Sequence, residues 1–151
     1  MGKVKNIKAQ DISIGNELVN EVIKNEFFSG KEIKVDNNPN EKMSEIIQDF
    51  GEPLFDECET DNEREMMLTI CIMIWNICLM PKDLRKEEIK RILDTLAGDD
   101  NDAYMFWSGL IKSQMFRKEM YFSQIRRFIY DYKINKKGNE LRLSIVSSPI
   151  E

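Results

Sequence analysis

From Met66 to Met80 fifteen consecutive residues carry no charge and only two polar side chains, Thr69 and Asn76, before Pro81 stops the run. A membrane span needs about 20 apolar residues to cross roughly 30 Å of hydrocarbon, so this run is too short, and an acidic cluster precedes it. The remaining reading is a central helix, about 61–80, apolar on every side and enclosed by other elements. Thr60-Asp61-Asn62-Glu63 opens it with the spacing of a capping box, in which the Thr oxygen and the Glu side chain satisfy each other's free amides. Acidic residues in its first turn also suit the helix dipole.

The flanking pattern is amphipathic. Ile14, Leu18 and Val22, widened by Val19, Ile23 and Phe27, predict a helix from about Ser13 to Phe28, stopped at Ser29-Gly30. Lys31 to Val35 alternates polar and apolar as a short strand would, and Asp36 to Asn40 has the composition of a turn. Met43, Ile46, Ile47, Phe50 and Leu54 predict a second helix from near Asn40. Pro53 lacks a donor and crowds the preceding turn, so that helix either stops near Phe50 or continues kinked through Phe55. Leu84, Ile89, Ile92, Leu93 and Leu96 form the next stripe, closed by Ala97-Gly98. Beyond the polar loop Asp99 to Asp102, a further helix turns Ala103, Tyr104, Trp107, Leu110, Ile111 and Met115 inward.

The period then changes from helical to two. Phe128, Tyr130, Tyr132 and Ile134 fall on one side of a strand, and Leu141, Leu143 and Ile145 do the same around the turn Lys136-Lys137-Gly138-Asn139. The expected fold is α+β and predominantly helical: about five helices around the central one, with a C-terminal β-hairpin at about 127–147. The chain of 151 residues fits a single domain, 1–151, with residues 1–8 flexible.

Composition narrows the chemistry. The chain holds no histidine, which removes imidazole-activated nucleophiles, His-ligated zinc and His acid–base catalysis within one chain. Cys58, Cys71 and Cys78 are 13 and 7 residues apart and lack the short spacing of zinc sites, so they read as reduced core thiols. No catalytic residue, metal site or cofactor is implied. The basic start, Lys3, Lys5 and Lys8, is not followed by the apolar segment of a signal peptide, and a cytoplasmic, non-membrane protein is expected. The richness in Lys, Asn and Ile suits a bacterial source.

Charge is distributed unevenly. Residues 40–102 carry seven Lys or Arg against seventeen Asp or Glu, a net of −10, whereas 111–137 carry eight against two, a net of +6. The basic residues Lys112, Arg117, Lys118, Arg126, Arg127, Lys136 and Lys137 stand among aromatics. Aromatics beside cations stack bases while the cations hold phosphates, yet the strand alternation turns the same aromatics into a core face with the cations as its rim. Matching acidic and basic patches, within one chain or between two copies, accounts for the polarity more cheaply. Asn76 inside the apolar helix requires a hydrogen-bond partner and is expected to be a buried polar lock. The function expected is a non-catalytic protein-interaction or self-associating module, with a protein partner or a homo-oligomer. The alternative is single-stranded nucleic-acid binding through segment 112–137. A carboxylate-dependent metal enzyme using acids such as Asp61 and Glu65 is the second alternative.

Overall fold

The computed structural model describes residues 7–31, 33 and 42–150. Among them are six helices and a two-stranded antiparallel sheet: α1 (Ala9–Ile23), α2 (Glu26–Ser29), α3 (Met43–Phe55), α4 (Asp61–Ile77), α5 (Lys82–Ala97), α6 (Asn101–Tyr121), β1 (Arg127–Lys137) and β2 (Glu140–Pro149). The protein is therefore α+β and predominantly helical. Apart from Lys31 and Ile33, the strand expected at 31–35 and the loop at 36–40 lie outside the described residues, as do residues 1–6 of the basic start.

The apolar run folds as the hub. Every residue of α4 from Met66 to Ile77 is buried, and the turn that follows keeps Leu79 and Met80 inside. Its start is built as the capping pattern requires, with one displacement. Thr60 Oγ1 accepts from the Glu63 amide at 3.1 Å, while the Glu63 carboxylate accepts from the Glu59 amide and the Thr60 hydroxyl. The acid thus reaches one residue further back than the usual box.

α1 lies along one side of α4 and α3 along another. The single helix expected from Ser13 to Phe28 is divided because Asn25 takes the Phe27 amide at 2.9 Å and starts α2. Its amide group also donates to Glu88 of α5 at 2.7 Å, so a tertiary contact supports the break. α3 runs through Pro53 to Phe55. It approaches α4 so closely that a Cβ on Gly51 would sit 2.9 Å from Cys71 Sγ and 2.4 Å from the Phe55 ring, which makes glycine a packing requirement there.

α6 and the hairpin cover the other sides of the hub. The hairpin turn places Gly138 at φ 64°, a region open to glycine, and the pairing runs from Lys137 opposite Glu140 to Arg127 opposite Pro149. A bulge between Ile129 and Asp131 interrupts the alternation. It puts Ile129 on the same face as Tyr132 and Ile134, while Phe128 on the opposite face is buried as well because this end of the strand is covered on both sides. The Phe128 ring stacks on Phe28 at 4.1 Å, and the Tyr132 hydroxyl donates to Asn16 of α1.

Trp75 and Asn76 tie the hub to the outer edge of β1. Trp75 Nε1 donates to Arg127 O at 2.8 Å, Asn76 Nδ2 donates to Ile129 O at 2.8 Å, and Asn76 Oδ1 accepts from Ile129 N at 3.0 Å. The carboxamide thereby offers β1 the donor and acceptor that a third strand would offer.

Candidate docking face and basic cleft on helix α6

α6 starts at Asp100, whose Oδ1 accepts from the amides of Asp102 and Ala103. Its inner face is Trp107, Leu110, Ile111, Gln114 and Lys118, all buried. The two polar members each serve main-chain carbonyls. Gln114 Nε2 donates to Phe50 O at 3.1 Å. Lys118 Nζ donates to Phe122 O at 2.8 Å and Ile125 O at 3.2 Å, and it stands 4.2 Å from the centre of the Trp75 ring. A buried ammonium held by carbonyl dipoles and a ring face, with no carboxylate, is an expensive arrangement. Burial, followed by the charges of Arg126 and Arg85, draws the Lys118 pKa below the ordinary lysine value.

Apolar residues also occupy the opposite side. Seven large hydrophobic residues are exposed among the described residues, and five of them belong to α6: Tyr104, Met105, Phe116, Met120 and Tyr121. Tyr104, expected inside, is among them at 45%. Met105, Gly109, Lys112, Phe116 and Met120 are spaced four, three, four and four apart and so share one face. Gly109 has open space where a side chain would stand, leaving bare backbone in the middle of the row. The hub is enclosed, as its all-round apolar character implies, and most of the exposed large hydrophobic residues among those described are on α6.

A cleft opens at each end of this face. At the N-terminal end, about 780 Å³ lies between α3, α4 and α6, lined by Leu54, Cys58, Met67, Met105, Phe106 and Leu110, with Glu57 and Asp102 also at its wall. At the C-terminal end, about 440 Å³ lies between the α4–α5 turn and α6, with Arg85, Lys112, Lys118 and Arg126 against one acid, Glu119.

The basic residues singled out in the sequence therefore divide. Lys112, Lys118 and Arg126 come together at the second cleft. Arg117 turns the other way and donates to Asp49 O at 2.8 Å and Phe50 O at 2.9 Å. The Asp49 carbonyl is the one that Pro53, having no amide hydrogen, leaves without a helical donor. Arg127 donates across the hairpin to Ser147 Oγ at 2.9 Å, and Lys136 pairs with Asp61 at 2.9 Å, which draws the Asp61 carboxyl below its usual range. Lys137 is exposed beside the hairpin turn, opposite Glu140. Asn76 is buried against β1, away from both clefts.

Sequence reasoning passed over Arg85. It donates to Met80 O at 2.7 Å and Cys78 O at 2.6 Å, closing the carbonyl end of the hub. The available signal was a cation one turn after the proline that ends an apolar helix, where the last carbonyls want donors.

The thiols are suppressed. Cys58 and Cys78 are each pushed up to about 11, chiefly by burial, and burial raises Cys71 further still. Among the described residues no three His, Cys, Asp or Glu side chains converge as a metal ion needs, and no helix is long and apolar enough to cross a membrane. Comparison of the chain with protein-family models, curated proteins and solved structures returns no match.

Proposed function

We propose that this protein is a non-catalytic interaction module that docks another protein chain along the outer face of α6, with a second copy of itself as the occupant. The carrying observation is the row Met105, Phe116 and Met120, exposed at 72, 64 and 57% on one face of a helix whose opposite face is already packed. Apolar surface gathered along one element, rather than scattered, is the mark of a contact surface. Charge favours the same occupant. Glu57 and Asp102 lie at one end of the face and the cleft with Arg85 and Arg126 at the other, so two copies packed antiparallel about a two-fold axis would each set acid against base.

The test is sedimentation of the full chain at low and high salt. Dimer is expected at both, weaker at high salt, and the double substitution Met105→Glu with Phe116→Glu is expected to give monomer with an unchanged circular dichroism spectrum. A wild-type chain that stays monomeric at about 100 µM, within reach of the micromolar affinity of a small interface, would sink the proposal.

Two other readings draw less support. Single-stranded nucleic acid would want the basic and aromatic side chains of 112–137 on one surface, yet Phe128 is buried and Arg117, Lys118 and Arg127 donate to neighbouring protein atoms. A carboxylate metal enzyme would want converging acids, whereas Asp61 pairs with Arg64 and Lys136.

A further inference from the structure

We propose that the basic cleft at the C-terminal end of α6 is a binding site for a small phosphate-bearing molecule, its anion among Arg85, Lys112 and Arg126 above Lys118 and its organic part against Met115 and Phe116. Four cations and one carboxylate line the cleft, in a chain that has more acids than bases overall. Other cations of the fold are paired: Arg64 and Lys136 with Asp61, Lys90 with Asp94, and Arg91 with Glu21 and Glu88. Among the described residues, no ion pair engages Arg85, Lys112, Lys118 or Arg126. Glu119 offsets only part of their mutual repulsion, and a multiply charged anion entering the cleft relieves the rest.

Two of the four cations are held in place by the fold. Arg85 has two donors fixed on the carbonyls that end α4, and Lys118 has two fixed on Phe122 and Ile125. Such cations lose little freedom when a ligand arrives, which is the condition for effective anion recognition. A guanidinium has five N–H groups in a planar fork suited to phosphate oxygens, so Arg85 keeps donors beyond those that close the helix. Apart from Ser123 the rest of the wall is apolar, with Leu79, Met115 and the exposed Phe116 ring. A volume of about 440 Å³ is that of a small-molecule site and suits a phosphate monoester carrying a flat organic group, which the Phe116 ring can stack.

The site shares Lys112, Phe116 and Arg126 with the docking face, so a bound phosphate ester and a second copy compete for it, and the chain is titrated below the concentration at which it dimerises. Calorimetric titration of the full chain with adenosine 5′-monophosphate, inorganic phosphate and a single-stranded oligonucleotide at low salt tests it. One monophosphate per chain is expected, bound about tenfold or more tightly than inorganic phosphate. That binding should weaken about tenfold or more in Lys112→Gln and in Arg126→Gln, each of which removes a charge-assisted contact. Both residues are exposed and lie outside the core, so these variants keep the fold, and Lys137→Gln is the control that binds as wild type. Phe116→Ala should erase the advantage over inorganic phosphate. No binding of the monophosphate, or binding unchanged in Lys112→Gln and Arg126→Gln, overturns the proposal. Affinity for the oligonucleotide alone also overturns it, by assigning the cations to a polymer.

Discussion

The residue on which the hairpin's attachment turns is Asn76. Its carboxamide both accepts from and donates to Ile129, and the whole group is sealed from water. Asn76→Leu keeps the branched outline of the side chain, though it is bulkier, and strands a buried amide and a buried carbonyl of β1. Each unmet group costs about 1–3 kcal/mol, so the variant is expected to lose about 2–5 kcal/mol in urea unfolding. A loss below about 1 kcal/mol would mean that Ile129 finds water or another partner and that the amide is dispensable. A polar residue alone in an apolar helix announces itself in the sequence. Its partner does not, because Ile129 lies 53 residues away and contributes only main-chain atoms, which every residue has.

At the scale of elements, α3 and α6 are joined by a repair. Pro53 withholds a donor from Asp49 O inside α3, and Arg117 of α6 supplies one. Arg117→Met should cost about 1–3 kcal/mol in the wild-type background, and clearly less when Pro53→Ala has restored the helical amide. Additive effects of the two substitutions, measured in a double-mutant cycle, would show that the guanidinium and the proline are unrelated. The elements with one dominant period were legible in the sequence: α4 through its unbroken apolar run, and the hairpin through its alternation around Gly138. α6 was half legible. Trp107, Leu110 and Ile111 satisfy a helical period by themselves, so the second row, Met105, Phe116 and Met120, adds no further periodicity to notice. The division between α1 and α2 was hidden for a different reason: Asn25 looks like any exposed polar position until Glu88 of α5 is seen against it. Arg85 was concealed by averaging, since it sits in a stretch whose net charge is −10 and its cleft is completed by α6.

Across the whole molecule the buried thiols and phenol make stability depend on alkaline pH. Folding raises Cys58 and Cys78 to about 11, Cys71 beyond them and Tyr132 to about 12, in each case chiefly through burial. Below pH 9, the ordinary thiol value, both states keep the thiol protons and the stability is fully present. As pH rises from there towards the folded values, the unfolded chain releases protons that the folded chain retains, so stability falls. Lys118, lowered by burial, acts in the opposite sense below the ordinary lysine value of 10.5, one group against four. Urea midpoints should therefore drop between about pH 9 and 11, as the unfolding free energy falls by about 1.4 kcal/mol per pH unit for each fully responding buried thiol. Cys71→Ala should flatten that slope; midpoints level across this range would contradict the burial of these groups. The bond between Asn76 and Ile129 also has a bearing on how the chain is made. A ribosome adding about 5–20 residues per second needs roughly 3–10 s to travel the 53 positions from one to the other. Throughout that interval the nascent polypeptide trails its most adhesive segment without the cover that later seals it, a defined window in which a holding chaperone has something to grip.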